Sequence, residues 1–186
     1  MVGAAGTLTV AVIGAGSAGR AFALACAQAG YTVLLEDVMP AKLRDAAAEF
    51  LSVGRDVRLV STVEDAVQDA DIAVDFVPDD LESKLEIFSL IDRMAPPRTV
   101  LCTPSEFLCV TDLASCTYRG DRCVMLRGLG TGSVRLLHPR RVAEDAVAQV
   151  TTMLRGMGLT VAAERDPDLP MLMKNMGYEA GDAEIA

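Results

Sequence analysis

Three glycines and one acid carry the first chemical signal in this chain. Gly14, Gly16 and Gly19 follow the apolar run Val10-Ala11-Val12-Ile13, and Glu36-Asp37 closes a second run, Thr32-Val33-Leu34-Leu35. Short apolar runs of this kind fit central parallel strands buried on both faces. Gly14 allows the tight turn, Gly16 lets the backbone close on a pyrophosphate, and Gly19 lets the next helix pack against the strand. Ser17 and Ala18 open that helix, whose unpaired N–H groups and partial positive charge suit phosphate. An acid about 20 residues past such a turn hydrogen-bonds the ribose hydroxyls, and Asp37 holds that place. The set reads as a dinucleotide site; the competing reading is a turn of the same shape that has lost its ligand. Asp37 would repel a 2′-phosphate and no Arg follows in Val38-Met39-Pro40. The expected cofactor is therefore NAD rather than NADP.

The elements that must position these residues alternate. After the first helix, Ala18 to Ala29, Gly30 serves as a C-cap. Pro40 opens a helix of Ala41 to Phe50, and Val57 to Val60 forms a short strand. Ser61 or Thr62 caps a short acidic helix, Glu64 to Gln68. Asp71 to Val77 is apolar enough for a central strand, and Pro78 ends it. Leu81, Leu85, Phe88 and Ile91 share one face of the next helix, which Pro96-Pro97 stops. Further strands are expected at Thr99 to Cys102, Arg122 to Leu126, Val134 to Leu137 and Leu159 to Ala162, with Thr103-Pro104 as a turn. Helices fill Val110 to Ser115, Ala143 to Met157 and about Pro170 to Glu179. Such alternation predicts an α/β fold, a Rossmann-type, doubly wound, mostly parallel sheet. Residues 1–6 read as a flexible lead-in, 7–165 as the NAD-binding domain, and 166–186 as a C-terminal helix and tail.

Bulk properties bound the partners. The 186 residues are 51% hydrophobic, enough for one domain with a sizeable core. A net charge of -9 argues against nucleic acid and anionic membrane. No apolar run reaches transmembrane length, and the first residues lack a signal peptide pattern, so a cytoplasmic location is expected. The 5 cysteines form no Cys-x-x-Cys pair and there is only 1 His, so no metal site is expected. Cys26, Cys102, Cys109, Cys116 and Cys123 read as small, buried packing residues.

Taken in order, these stretches resemble the NAD-binding domain of the 3-hydroxyacyl-CoA dehydrogenases, from about Thr7 to Asn175. Gly14 to Gly19 resembles that family's glycine turn, and Asp37 falls where its ribose-binding Asp sits. Val74-Asp75-Phe76-Val77-Pro78-Asp79-Asp80-Leu81-Glu82-Ser83-Lys84 is similar to its Val-Pro-Glu…Leu…Lys segment, which implies that Asp79 and Lys84 lie near the nicotinamide end. The alternative for Lys84 is an ordinary exposed helix lysine. Val100 to Ala114 resembles the family's strand, Ser-Asn-Thr-Ser turn and helix; Thr103 stands where a Ser contacts the substrate hydroxyl, and Pro104 replaces Asn. The family's His-Phe-Phe-Asn-Pro is overlaid by Leu126-Arg127-Gly128-Leu129-Gly130, with Leu126 at the position of the general-base His and His138 at that of the Glu orienting it. The family's later Asn also has no counterpart, and its all-helical C-terminal domain is expected to be absent, by loss or by truncation.

Leucine takes no proton, and losing a general base costs factors of roughly 10² to 10⁴. Two classes of function follow. The first is a divergent NAD-dependent oxidoreductase of fatty acid metabolism, acting on a hydroxyacyl thioester (CoA or acyl-carrier) or a related hydroxy acid. His138 would then be a relocated base with Thr103 as its hydroxyl partner; the competing reading makes His138 a surface loop residue. The second is a degenerate homologue that binds NAD without turnover, as a sensor or accessory subunit. A homo-oligomer or a protein partner would then use an adaptable surface such as Met171, Met173 and Met176. Arg127 is a weaker candidate for binding a substrate carboxylate.

Overall fold

The computed structural model describes residues 8–54, 57–168 and 170–174. Eight strands form one sheet: β1 (Thr9–Ile13), β2 (Thr32–Glu36), β3 (Arg58–Val60), β4 (Ile72–Asp75), β5 (Val100–Pro104), β6 (Cys123–Arg127), β7 (Ser133–His138) and β8 (Thr160–Arg165). Their order is β3-β2-β1-β4-β5-β6-β7-β8. All neighbours pair in parallel except β6 and β7, which are antiparallel. The sequential order reverses between β1 and β4, and a doubly wound sheet binds its ligand in the crevice at such a reversal.

Strand alternation sends one set of side chains to each face. Val10, Val12, Val33, Leu35, Val74, Cys102, Leu126 and Leu136 meet α1 (Ser17–Gln28), α2 (Pro40–Ser52) and α6 (Glu144–Gly156). Ala11, Ile13, Ala73, Leu101, Met125 and Leu137 meet α3 (Val63–Val67), α4 (Leu81–Met94) and α5 (Val110–Ser115). The sheet is thus covered on both sides, which is why its central strands read as unbroken apolar runs.

The helix ends follow the sequence signals. Thr62 and Asp80 cap α3 and α4 by accepting the N–H groups of Asp65 and Ser83. Arg119 closes the other end of α4, pairing with Asp92 at 2.7 Å and donating to the carbonyls of Asp92, Ala95 and Pro96. Two expectations change. Thr103-Pro104 is the end of β5, paired with Met125 and Leu126, and not a turn. Cys116 is exposed, while the other four cysteines are buried. The last helix is described as α7 (Met171–Lys174); its expected continuation and the expected lead-in, residues 1–6, lie outside the described residues.

Two buried carboxylates tie α5 to the chain that follows β8. Asp166 Oδ2 accepts Val110 N–H at 2.7 Å, at the start of α5. Asp112, within α5, accepts Met171 N–H and Leu172 N–H at 2.8 and 2.9 Å, at the start of α7. Removing such a cap costs about 1 kcal/mol or more. Asp112→Ala is therefore expected to lower stability by about 1–2 kcal/mol and to speed hydrogen exchange at Met171 and Leu172 while leaving the strands protected. Unchanged exchange at those two amides would contradict the assignment.

Candidate functional site

The site is built at the C-terminal ends of β1, β2, β4 and β5. Gly14 follows β1 with φ +102°, a conformation that L side chains rarely adopt, and its N–H donates to the Glu36 carbonyl at 2.8 Å. Gly19, one turn into α1, packs directly on the turn: a Cβ there would lie well inside van der Waals contact with the Gly14 carbonyl oxygen. Gly16 differs from both. A Cβ on it would meet nothing within 4 Å, so its backbone faces open space. Gly16 also caps α1 with no side-chain hydrogen bond, and the first turn holds no acid. Exposed Ser17 and Ala18 follow. The first N–H groups of α1 are thus left for a ligand, and an anion is what they favour.

Asp37 stands beside this turn. Its Oδ2 accepts Ala15 N–H at 2.9 Å, its Oδ1 accepts Met39 N–H at 2.9 Å, and Lys42 Nζ lies 3.2 Å from Oδ2. Burial alone would raise its pKa, but the two backbone donors and Lys42 outweigh it and hold Asp37 below the usual carboxylate range. A carboxylate that stays ionised retains lone pairs for ribose hydroxyls. The open Gly16 backbone, the uncapped helix and this anion fit a dinucleotide.

Family and structure comparisons agree with that fit. Residues 9–127 match the model of the 3-hydroxyacyl-CoA dehydrogenase NAD binding domain. The chain belongs to the 3-hydroxyacyl-CoA dehydrogenase family. Its cofactor class is accordingly NAD. It is 26% identical over 179 residues to the probable 3-hydroxybutyryl-CoA dehydrogenase of Bacillus subtilis (strain 168), covering 84% of this chain and 62% of that protein. It superimposes on the 3-hydroxyacyl-CoA dehydrogenase of Archaeoglobus fulgidus with a TM-score of 0.75 at 27% identity, over 94% of this chain and 66% of that one. A diketoreductase with 22% identity and a TM-score of 0.78, covered over 88% of this chain and 66% of that one, shares the fold. The chain spans 62% and 60% of the length of the first two curated relatives it matches.

Against the family's pattern, the expected residues fall as follows. Lys84 is not an exposed helix lysine. It is 1% exposed and its Nζ donates to Asp75 Oδ1 at 2.7 Å, with Asp75 itself fully buried. Asp75 went unrecognised in the sequence, although a lone acid in an apolar strand, followed by a Lys on the next helix, was a legible sign. Burial raises the Asp75 carboxyl, and the Lys84 ammonium pulls against that rise. Thr103 neighbours Asp75 across β4 and β5, one step beyond the Val74–Cys102 pair. Its hydroxyl is close enough to favour the ionised Asp75, but the two make no well-aligned hydrogen bond. Thr103 Oγ1 and Asp75 Oδ2 are both buried without a partner among the described residues.

Asp79 is exposed at the same edge and accepts Glu106 N–H at 3.2 Å. Glu106 Oε1 in turn accepts Gly128 N–H at 2.7 Å. These carboxylates join the loops after β4, β5 and β6. Leu126 is wholly buried in the core. The neighbouring Arg127 is what emerges at the end of β6, and it is occupied: it donates to the carbonyls of Ser105 and Leu108 and pairs with Asp168 at 3.1 Å.

His138 and Thr103 are not brought together. Because β7 runs antiparallel to β6, His138 lies one step beyond the Leu137–Met125 pair, level with the early part of β6. Alternation places it on the sheet face that carries Leu136 and α6, whereas Thr103 faces the side of Leu101 and α4. Its Nδ1 lies 2.9 Å from the Pro139 carbonyl. Met171 is 60% exposed, while the side chains of Met173 and Met176 lie outside the described residues. Among the described residues, no group of three or more His, Cys, Asp or Glu is placed to hold a metal, and no helix is long and apolar enough to cross a membrane.

Two outcomes test this geometry. Gly16→Ala is expected to leave the melting temperature within a degree or two of wild type and to weaken NADH binding at least tenfold, because the added methyl meets only ligand. Gly19→Ala is expected to destabilise the fold itself. Equal losses of stability in both variants would contradict the assignment. Lys84→Ala leaves a buried charge unpaired and is expected to cost about 3–5 kcal/mol in a denaturant melt. The paired change Asp75→Leu with Lys84→Met removes both charges and should recover most of that loss.

Proposed function

We propose that this chain forms the NAD-binding part of an oxidoreductase that interconverts a hydroxyl and a carbonyl on a 3-hydroxyacyl thioester, carried by CoA or an acyl carrier, or on a related hydroxy acid. The observation that carries the reading is the open Gly16 backbone at an uncapped α1, beside an ionised Asp37, in a chain of this family. Bound NAD supplies the hydride-accepting carbon. In this reading Gly14, Gly16, Ser17, Ala18 and Gly19 hold the pyrophosphate and Asp37 holds the adenine ribose. Asp79 orients the nicotinamide half. Lys84 acts at one remove, through Asp75, by fixing the ends of β4 and β5 beneath it.

A second reading, NAD binding without turnover as a sensor or accessory subunit, is favoured by one observation. The chain has 1 His, and it lies on the opposite sheet face from Thr103. The assay that separates the two is NADH oxidation with acetoacetyl-CoA and with acetoacetyl thioesters of an acyl carrier. Oxidation with any of them supports the enzyme. Tight NADH binding with no oxidation across the panel supports the binder. If oxidation occurs, His138→Ala is expected to leave its rate unchanged; a loss of 10²-fold or more would make His138 the base despite its position.

A further inference from the structure

β2 ends in Glu36, with Asp37 next, and of these two acids the ribose reading uses only Asp37. Glu36 is 3% exposed, and its Oε1 is buried with no hydrogen-bond partner among the described residues. Its strand neighbours in register are apolar, Ile13 on β1 and Val60 on β3. Burial first, and then the Asp37 charge, push the Glu36 carboxyl up to about 7, with Lys42 acting the other way. A buried polar group left without a partner costs stability, and leucine or valine would fill the same strand position without that cost. An orphaned carboxyl at the ligand-binding edge of a doubly wound sheet calls for a ligand atom.

The geometry says which part of the dinucleotide that is. In the NAD reading the pyrophosphate would sit at the start of α1, beside the end of β1, and the ribose at Asp37, just past β2; β3 is next in the sheet, so the base would fall toward the ends of β2 and β3. Glu36 is there, on the face shared with Ile13, Val60 and α3. The base at this end of NAD is adenine, whose 6-amino group is a hydrogen-bond donor. A carboxyl accepts such a bond in either of its protonation states, and in the NAD reading the lone pairs Asp37 has left go to the ribose.

We propose that Glu36 recognises the adenine of the dinucleotide by accepting a hydrogen bond from its 6-amino group. The assignment rests on the NAD reading above and makes the site specific for the base as well as for the ribose.

The test compares NADH with its 1,N6-etheno analogue, which has no 6-amino hydrogens, by fluorescence titration of the full chain. Wild type is expected to prefer NADH by at least about tenfold, the discrimination of one buried hydrogen bond. Glu36→Leu should lose that preference by binding NADH more weakly, with its affinity for the analogue unchanged. Glu36→Gln keeps an acceptor and should retain most of the preference. The same preference in Glu36→Leu as in wild type, or none in wild type, overturns the assignment while leaving NAD binding intact. No binding of NADH to wild type overturns the NAD reading and this inference with it.

Discussion

The contact between Gly19 and the Gly14 carbonyl governs this structure. It lets α1 begin directly against the end of β1, so that the helix axis aims its unpaired N–H groups at the crevice. Any side chain at Gly19 would push the helix out and turn those groups away. The same close seat places Phe22, Ala23 and Cys26 of α1 in the core that covers β1 and β2. The open helix start and the core packing are therefore one constraint, which explains why the apolar strand, the glycines and the small-residue helix occur as a single unbroken stretch.

Acids organise the rest of this edge, and they divide by environment. Asp37 is buried but surrounded by donors, so it stays ionised. Glu36, one residue earlier, is buried without donors and is driven towards neutrality. Asp79 and Glu106 are exposed and serve as acceptors for loop N–H groups. In a chain with a net charge of -9, the carboxylates near the crevice sit close together because each has a backbone or lysine partner or, as at Glu36, holds its proton more tightly.

Most of the fold was legible because its signals are local. Period, glycine turns, Pro40, Thr62 and Asp80 act within a few residues of where they stand. The glycine turn and Asp37 of the candidate site stood out for the same reason, since they lie within one βαβ unit. What sequence could not supply was pairing direction and facing. Nothing local shows that β7 runs antiparallel to β6, and that reversal, with the facing of the two strands, sets His138 apart from Thr103. Lys84 taken alone reads as a solvated helix lysine; its burial follows only when it is paired with Asp75, the acid of an otherwise apolar strand. Thr103-Pro104 suggested a turn because Pro seldom sits within a sheet, yet here it occupies the last residue of its strand, where a missing N–H matters least.

The Asp75–Lys84 pair has a mechanical consequence. Helices that rest on apolar surface alone slide over one another in small shear steps as domains open and close. A helix joined to the sheet by two fully buried charges has no neighbouring position in which both are satisfied, since a slip of one turn moves the ammonium by about 5.4 Å. α4 is therefore pinned in register against β4, and shear along this face is closed to the domain. The loops above carry no such constraint: Asp79, Glu106 and Gly128 are joined there by single hydrogen bonds that water can replace.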